Sequence, residues 1–286
     1  MLIVFIGIIL VIFAVCLFSN TSQLLLFPLT TPEKFLSDMP HILLKLFEQQ
    51  LVFIQPSSSI LVYGLGVLMI MIGIYFYVSK RVYKSRQYWG VGLILWGISA
   101  IAAGTSYQAF GYELKCAERE FCLFTNNFEL VYMLLTAYSI NFLVAATGYT
   151  SLGQMGRKRL IRFAVVDSIL YSIYLFLGAL IPIRFLVSYE GFMTFIGVNF
   201  IIMFVLNIRH YRLFRDSLNR GLITVWISFL VVNLGYFVFL LGHIGQKIYK
   251  STGVWFNEND ALHVLLIIWA ILVMFILRNK MRDIAS

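Results

Sequence analysis

Apolar residues in this chain gather into eight long stretches separated by short polar segments. Leu2–Phe18 is the first, a run of 17 residues without a polar side chain. Seven more follow, at about 58–79, 88–110, 126–149, 163–183, 188–208, 221–244 and 260–277. Each approaches the roughly 20 residues a helix needs to cross a hydrocarbon core. Between the first stretch and the rest, Met39–Phe53 reads as an amphipathic helix. Ile42, Leu43, Leu46, Phe47 and Leu51 form its apolar stripe, and His41, Lys45, Glu48 and Gln49 its polar one. Such a helix lies in the membrane interface or packs over the bundle as a lid. The pattern predicts an all-α polytopic membrane bundle. Residues 1–18 form an N-terminal anchor or a removed signal, 19–57 an outer segment, and 58–286 the seven-helix domain.

Composition agrees with that reading. Hydrophobic residues make up 60% of the chain and charged ones 12%, against about 45–50% and about 25% in soluble domains. The net charge of +9 raises the question of nucleic acid. The basic residues, however, sit in short clusters between apolar stretches, a membrane-topology pattern, and no nucleic-acid partner is expected. Fifteen of the 22 Lys and Arg fall in alternate loops, around Lys80 to Arg86, Arg157 to Arg162, Arg209 to Arg220 and Arg278 to Arg282. Ten of the 13 Asp and Glu fall in the other set, among them Glu113, Glu118, Glu120, Glu190 and Glu258. The positive-inside rule puts the basic loops and the C-terminus in the cytoplasm, and the protein in a plasma or inner membrane.

Polar chemistry concentrates at the outer ends of the spans. The second span ends Gly104-Thr105-Ser106-Tyr107-Gln108, the third begins Asn126-Asn127-Phe128-Glu129, and the seventh begins Asn257-Glu258-Asn259-Asp260 and carries His263. Asn259 and His263 are four apart and share a helix face. The expectation is an outer pocket lined by Gln108, Glu129, Asn259, Asp260 and His263. The same residues have structural uses. Asn259 or Asp260 can cap the seventh span, Glu129 suits a helix N-terminus, and His263 can bridge helices.

Within the spans lie Asn141, Asp167, Asn199 and Asn233, and Asp167 is expected to pair with Arg162 or Ser168. Cys116 and Cys122, with five residues between them in an outer loop, form a disulfide or remain free thiols. Tyr88, Trp89 and Trp255 read as part of an interfacial belt. Gly64, Gly66, Gly73, Gly97 and Gly104 read as positions of close helix approach. There is no phosphate loop, zinc-protease motif or nucleophile elbow.

Seven spans, a polar close to the second, and Asn259-Asp260-x-x-His263 opening the seventh resemble the CREST superfamily of membrane hydrolases, which includes the alkaline ceramidases and the adiponectin receptors. The family pattern is Ser-x-x-x-His in the second helix, an Asp near the third and His-x-x-x-His in the seventh. Its histidines hold a zinc that activates water against an amide or ester. Here His263 matches the last histidine. Asn259 and Gln108 occupy the places of the other two, Gly104 that of the serine, and Glu129 stands near the acid. The resemblance covers residues 58–277. It implies a lipid- or small-amphiphile-binding relative without a bound metal, its zinc site being incomplete; were zinc bound, His263, His243 and Glu129 could supply three ligands. An active metal-dependent lipid amide or ester hydrolase, a transporter and a membrane scaffold are the alternatives.

Overall fold

A computed structural model describes residues 2–46, 49–79 and 82–284. Phe47, Glu48, Lys80 and Arg81, used in the sequence reading, lie outside the described residues. Helix α1 spans Leu2–Leu17 and α2 spans Pro32–Ser37. Strands β1, His41–Leu46, and β2, Gln49–Ile54, follow. Then come α3 (Pro56–Val78), α4 (Lys84–Gly104), α5 (Gly111–Lys115), α6 (Asn127–Ser151) and α7 (Gln154–Leu180). The chain closes with α8 (Tyr189–Phe214), α9 (Ser217–Leu241), α10 (Ile244–Thr252) and α11 (Glu258–Leu277). Seven of these helices, α3, α4, α6, α7, α8, α9 and α11, are long and apolar enough to cross a membrane. The 16 residues of α1 reach about 24 Å, short of the ~30 Å core. This helix packs on α6 and α7 through Ile8 and Val15, both buried.

The segment Met39–Phe53 departs from its expected helix. It is an antiparallel hairpin pairing His41 with Ile54, Ile42 with Phe53 and Leu44 with Leu51. Val52, Phe53 and Ile54 favour strand, and the tertiary surroundings complete the ladder. The Val52 amide donates to Glu113 Oε1 on α5 at 2.6 Å, and the Gln55 amide donates to the Pro40 carbonyl at 2.8 Å. Of the apolar stripe read at helical spacing, Ile42, Leu43 and Leu46 fall on β1 and Leu51 on β2.

Helix α6 is the most buried of the seven and α9 the least. Helices α3 and α4 cross with their backbones nearly touching. A Cβ added at Gly73 would meet the Gly90 carbonyl oxygen at 2.7 Å, so glycine is what permits this approach. Gly64, by contrast, faces open space and has no part in the crossing. Trp89 is not in an interfacial belt either. It is fully buried and stacks on Trp226 with ring centroids 5.7 Å apart.

The basic ends of the helices are tied together by the C-terminal tail. Asp283 Oδ2 and Oδ1 accept the Lys84 and Ser85 amides at 2.8 Å each, capping α4, and the Ile284 amide donates to the Tyr149 carbonyl. Arg86, buried and in no ion pair among the described residues, donates to Ser79 Oγ and the Arg278 carbonyl, and lies over the Tyr75 and Phe76 rings.

Candidate functional site

At the opposite ends of the helices the polar groups divide into two adjoining structures. The first is a buried network where α4 meets α6. After Gly104, helix α4 widens into one π-helical turn, Thr105–Ala109, closed by the Phe110 amide donating to the Thr105 carbonyl. π-turns re-aim side chains and recur at functional sites. This one buries Ser106, whose hydroxyl donates to Glu129 Oε1 at 2.8 Å and accepts from Asn126 Nδ2 at 2.7 Å. Lys115 Nζ lies 2.5 Å from the same carboxylate oxygen. Glu129 is therefore part of a closed ion pair. Cys116, next to Lys115, and Cys122 have their sulfurs 2.06 Å apart, at disulfide distance, holding the segment that supplies the lysine.

The second structure is a cavity of about 710 Å³ among α3, α4, α6, α8, α9 and α11. Gln108, Asn259 and His263 all line it; Glu129 and Asp260 do not. Asp260 instead closes a capping box with Asn257. Its Oδ2 accepts the Asn257 amide at 2.9 Å, and Asn257 Oδ1 accepts the Asp260 amide at 3.0 Å. Asn257 is thus the N-cap, and its Nδ2 reaches Gln55 Oε1 at 3.4 Å, joining α11 to the base of the hairpin. That leaves Asn259 free of capping duty. Of the two capping candidates, Asp260 takes part in the cap and Asn259 does not.

Aromatic side chains dominate the rest of the wall. Tyr107 and Tyr132 meet edge to face at 6.2 Å, and Phe200 and Phe229 stack at 4.9 Å. Tyr189 and Tyr236 complete the rim; the sequence reading missed both. Their signal was helical spacing, since Asn233 and Tyr236 are three apart on one face of α9. No Asp, Glu, Lys or Arg lines the cavity among the described residues. Two wall atoms, Gln108 Oε1 and His263 Nδ1, are buried without a hydrogen-bond partner among the described residues. Atoms of this kind call for a water, an ion or a bound group as partner. Ile201 on α8 and Leu230 and Phe237 on α9 belong both to the cavity wall and to the exposed surface. The cavity accordingly reaches the outer face of the bundle between these two helices.

His243 is exposed at the start of α10 with φ of 48°. Among the described residues no three His, Cys, Asp or Glu side chains converge as a metal cluster, so His263, His243 and Glu129 are not brought together.

Two further polar networks cross the bundle. Asp167 pairs with neither Arg162 nor Ser168. Asn141 Nδ2 and Asn199 Nδ2 each donate to its Oδ2 at 2.9 Å, because α6 and α8 flank α7 at that level. Ser168 turns its hydroxyl to the Ala164 carbonyl. At the basic end, Asn207, Asn219 and Ser151 interlock, with Trp226 Nε1 on Asn207 Oδ1 at 2.9 Å. His210 Nδ1 lies 3.0 Å from Asp216 Oδ2 in the α8–α9 turn. Burial pushes the Asp216 carboxyl up, but hydrogen bonds from the Asn219 amide and side chain and from His210 outweigh it and hold the group below the usual carboxylate value.

No protein-family profile, curated protein sequence or solved structure matches this chain.

Proposed function

We propose that this multi-pass membrane protein binds a lipid or small amphiphile in its outer cavity, as a CREST-like seven-helix protein with an incomplete zinc site. One observation carries the reading: Gln108 Oε1 and His263 Nδ1 are buried and unpartnered in an otherwise aromatic wall. Gln108 Oε1 can only accept, so the ligand brings a hydroxyl or amide donor. The aromatic body of the cavity takes the apolar part, and the gap between α8 and α9 offers entry from the bilayer. Absence of charged wall residues favours a neutral polar head over phosphate, which would need Arg or Lys. Under the same proposal the cavity faces outward and the basic loops and C-terminus face the cytoplasm of a plasma or inner membrane, on the strength of the sorted charges.

The test is the identity of what remains after mild purification, measured by mass spectrometry of the extracted lipid and by metal analysis. Gln108→Ala and His263→Ala should each lower retention of the co-purifying amphiphile about five- to tenfold, the equivalent of one hydrogen bond of ~1–1.5 kcal/mol, while the protein stays folded. No amphiphile in wild type, or equal amounts in wild type and both variants, overturns the reading. One equivalent of zinc that vanishes in His263→Ala replaces it with a hydrolase. For the orientation, single cysteines at Lys158 and Arg212 should resist an impermeant thiol reagent on intact cells; labelling there reverses it.

A further inference from the structure

The bundle has a second large space, a groove of about 710 Å³ between α1, α4, α6 and α7. Its walls on α1 and α7 have no part in the outer cavity, and they are joined toward the basic ends of the helices by Lys84 and Tyr149. From the geometry we infer a second lipid site: the groove holds one acyl chain of an anionic glycerophospholipid, with its phosphate against Lys84 and Arg157.

Three observations support this occupant. First, the groove is polar in sequence but apolar in effect. Asn141 gives its amide to Asp167 and its carbonyl oxygen to Asn199. Tyr138 and Ser172 hydrogen-bond each other at 2.7 Å, and the Ser168 and Ser172 hydroxyls return to backbone carbonyls of α7. These wall groups already have partners, in contrast to Gln108 and His263 in the outer cavity, so hydrocarbon meets no unsatisfied group. Second, the length fits. The wall on α7 runs from Ile161 to Ile173, about 18 Å at 1.5 Å per residue, against roughly 15 Å of hydrocarbon in one leaflet.

Third, the charge lies at one end. Lys84 is exposed and lines the groove. The Arg157 guanidinium lies over the ring of Tyr149, another wall residue, at 4.9 Å. The nearby carboxylate of Asp283 is engaged by the first two amides of α4. Exposed Lys84 and half-buried Arg157 thus sit together at the basic end, and near a membrane surface a Lys or Arg attracts anionic lipid by about 1 kcal/mol.

The experiment uses the full chain in nanodiscs of phosphatidylglycerol and phosphatidylcholine in equal amounts, with matched chains. Lipid that survives a stringent detergent wash is then counted by native mass spectrometry. Phosphatidylglycerol should be retained preferentially, and Lys84→Gln or Arg157→Gln should each cut that preference roughly fivefold. Gly7→Phe should abolish retention while preserving the melting temperature, because Gly7 lines the groove and an added Cβ meets nothing within 4 Å. His263→Ala should leave the groove lipid unchanged, which separates this site from the outer cavity. Equal retention of the two lipids overturns the proposal, as does full retention in a folded Gly7→Phe. If Gly7→Phe does not fold, the exposed Lys84→Gln still decides: an unchanged preference refutes the headgroup contact.

Discussion

Removing one member of the Lys115–Glu129 pair should be among the most damaging single changes in this protein, and removing both should be far milder than the sum. The ammonium and carboxylate are 2.5 Å apart, with side chains 11% and 3% exposed. At that separation the gross attraction is about 7 kcal/mol for an effective dielectric of about 20. Most of it offsets desolvation. What a single truncation exposes is the remaining buried charge, a penalty of ~3–5 kcal/mol. Glu129→Gln keeps the shape and the Ser106 contact but orphans Lys115; Lys115→Met orphans Glu129. The double variant leaves no buried charge and should sit within ~1–2 kcal/mol of wild type, giving a coupling of several kcal/mol. Reversible unfolding in mixed micelles of increasing dodecyl sulfate content, followed by tryptophan fluorescence, measures all four corners of the cycle. If the cavity holds the proposed amphiphile, the double variant should keep it, because Glu129 does not line the cavity. Additive single effects would refute the claim that the pair is buried and closed. Loss of the amphiphile in the double variant would return Glu129 to the ligand site.

Three other outcomes are expected. Gly73→Ala should destabilise the bundle by ~1–3 kcal/mol through collision with the Gly90 carbonyl, whereas Gly64→Ala should be neutral or stabilising by up to ~1 kcal/mol; the same unfolding assay ranks them. Cys116→Ser with Cys122→Ser, which opens a link of sequence separation 6, should lower stability by about 2 kcal/mol, and treatment of wild type with reductant should reproduce the shift. The lowered Asp216 pKa makes its contribution to stability fully present above the unfolded value of about 3.9 and lost as pH falls through the lower folded value. Asp216→Asn should therefore flatten the acid limb of stability below about pH 4 and leave neutral pH little changed in slope.

The seven spans and the clustering of polar residues at one end of the bundle were legible from the sequence alone. Bilayer thickness imposes a length on every apolar run, and a charge inside lipid is costly enough to be confined to loops or paired. The shared face of Asn259 and His263 was legible for the same local reason, a fixed 3.6-residue turn, and proximity in sequence brought Cys116 and Cys122 within reach of each other. Contacts between distant segments were not legible. Glu129 was assigned to the pocket by depth alone, but a π-turn in α4 and a disulfide-held Lys115 claim it from segments 14 to 23 residues away in sequence. Asp167 found Asn141 and Asn199 rather than the neighbours on its own helix, because the helix–helix arrangement decides which amides reach a carboxylate. Asp260 suits a pocket wall or a helix cap by sequence, and its reciprocal bonds with Asn257 decide for the cap. The Met39–Phe53 segment carried an apolar stripe that fits either period over so few turns, and a carboxylate on α5 waiting at the strand edge decided for the hairpin. Periodicity and burial cost act within a segment and are written in it. The pairing of polar groups depends on which helices become neighbours, and that only the packed bundle decides.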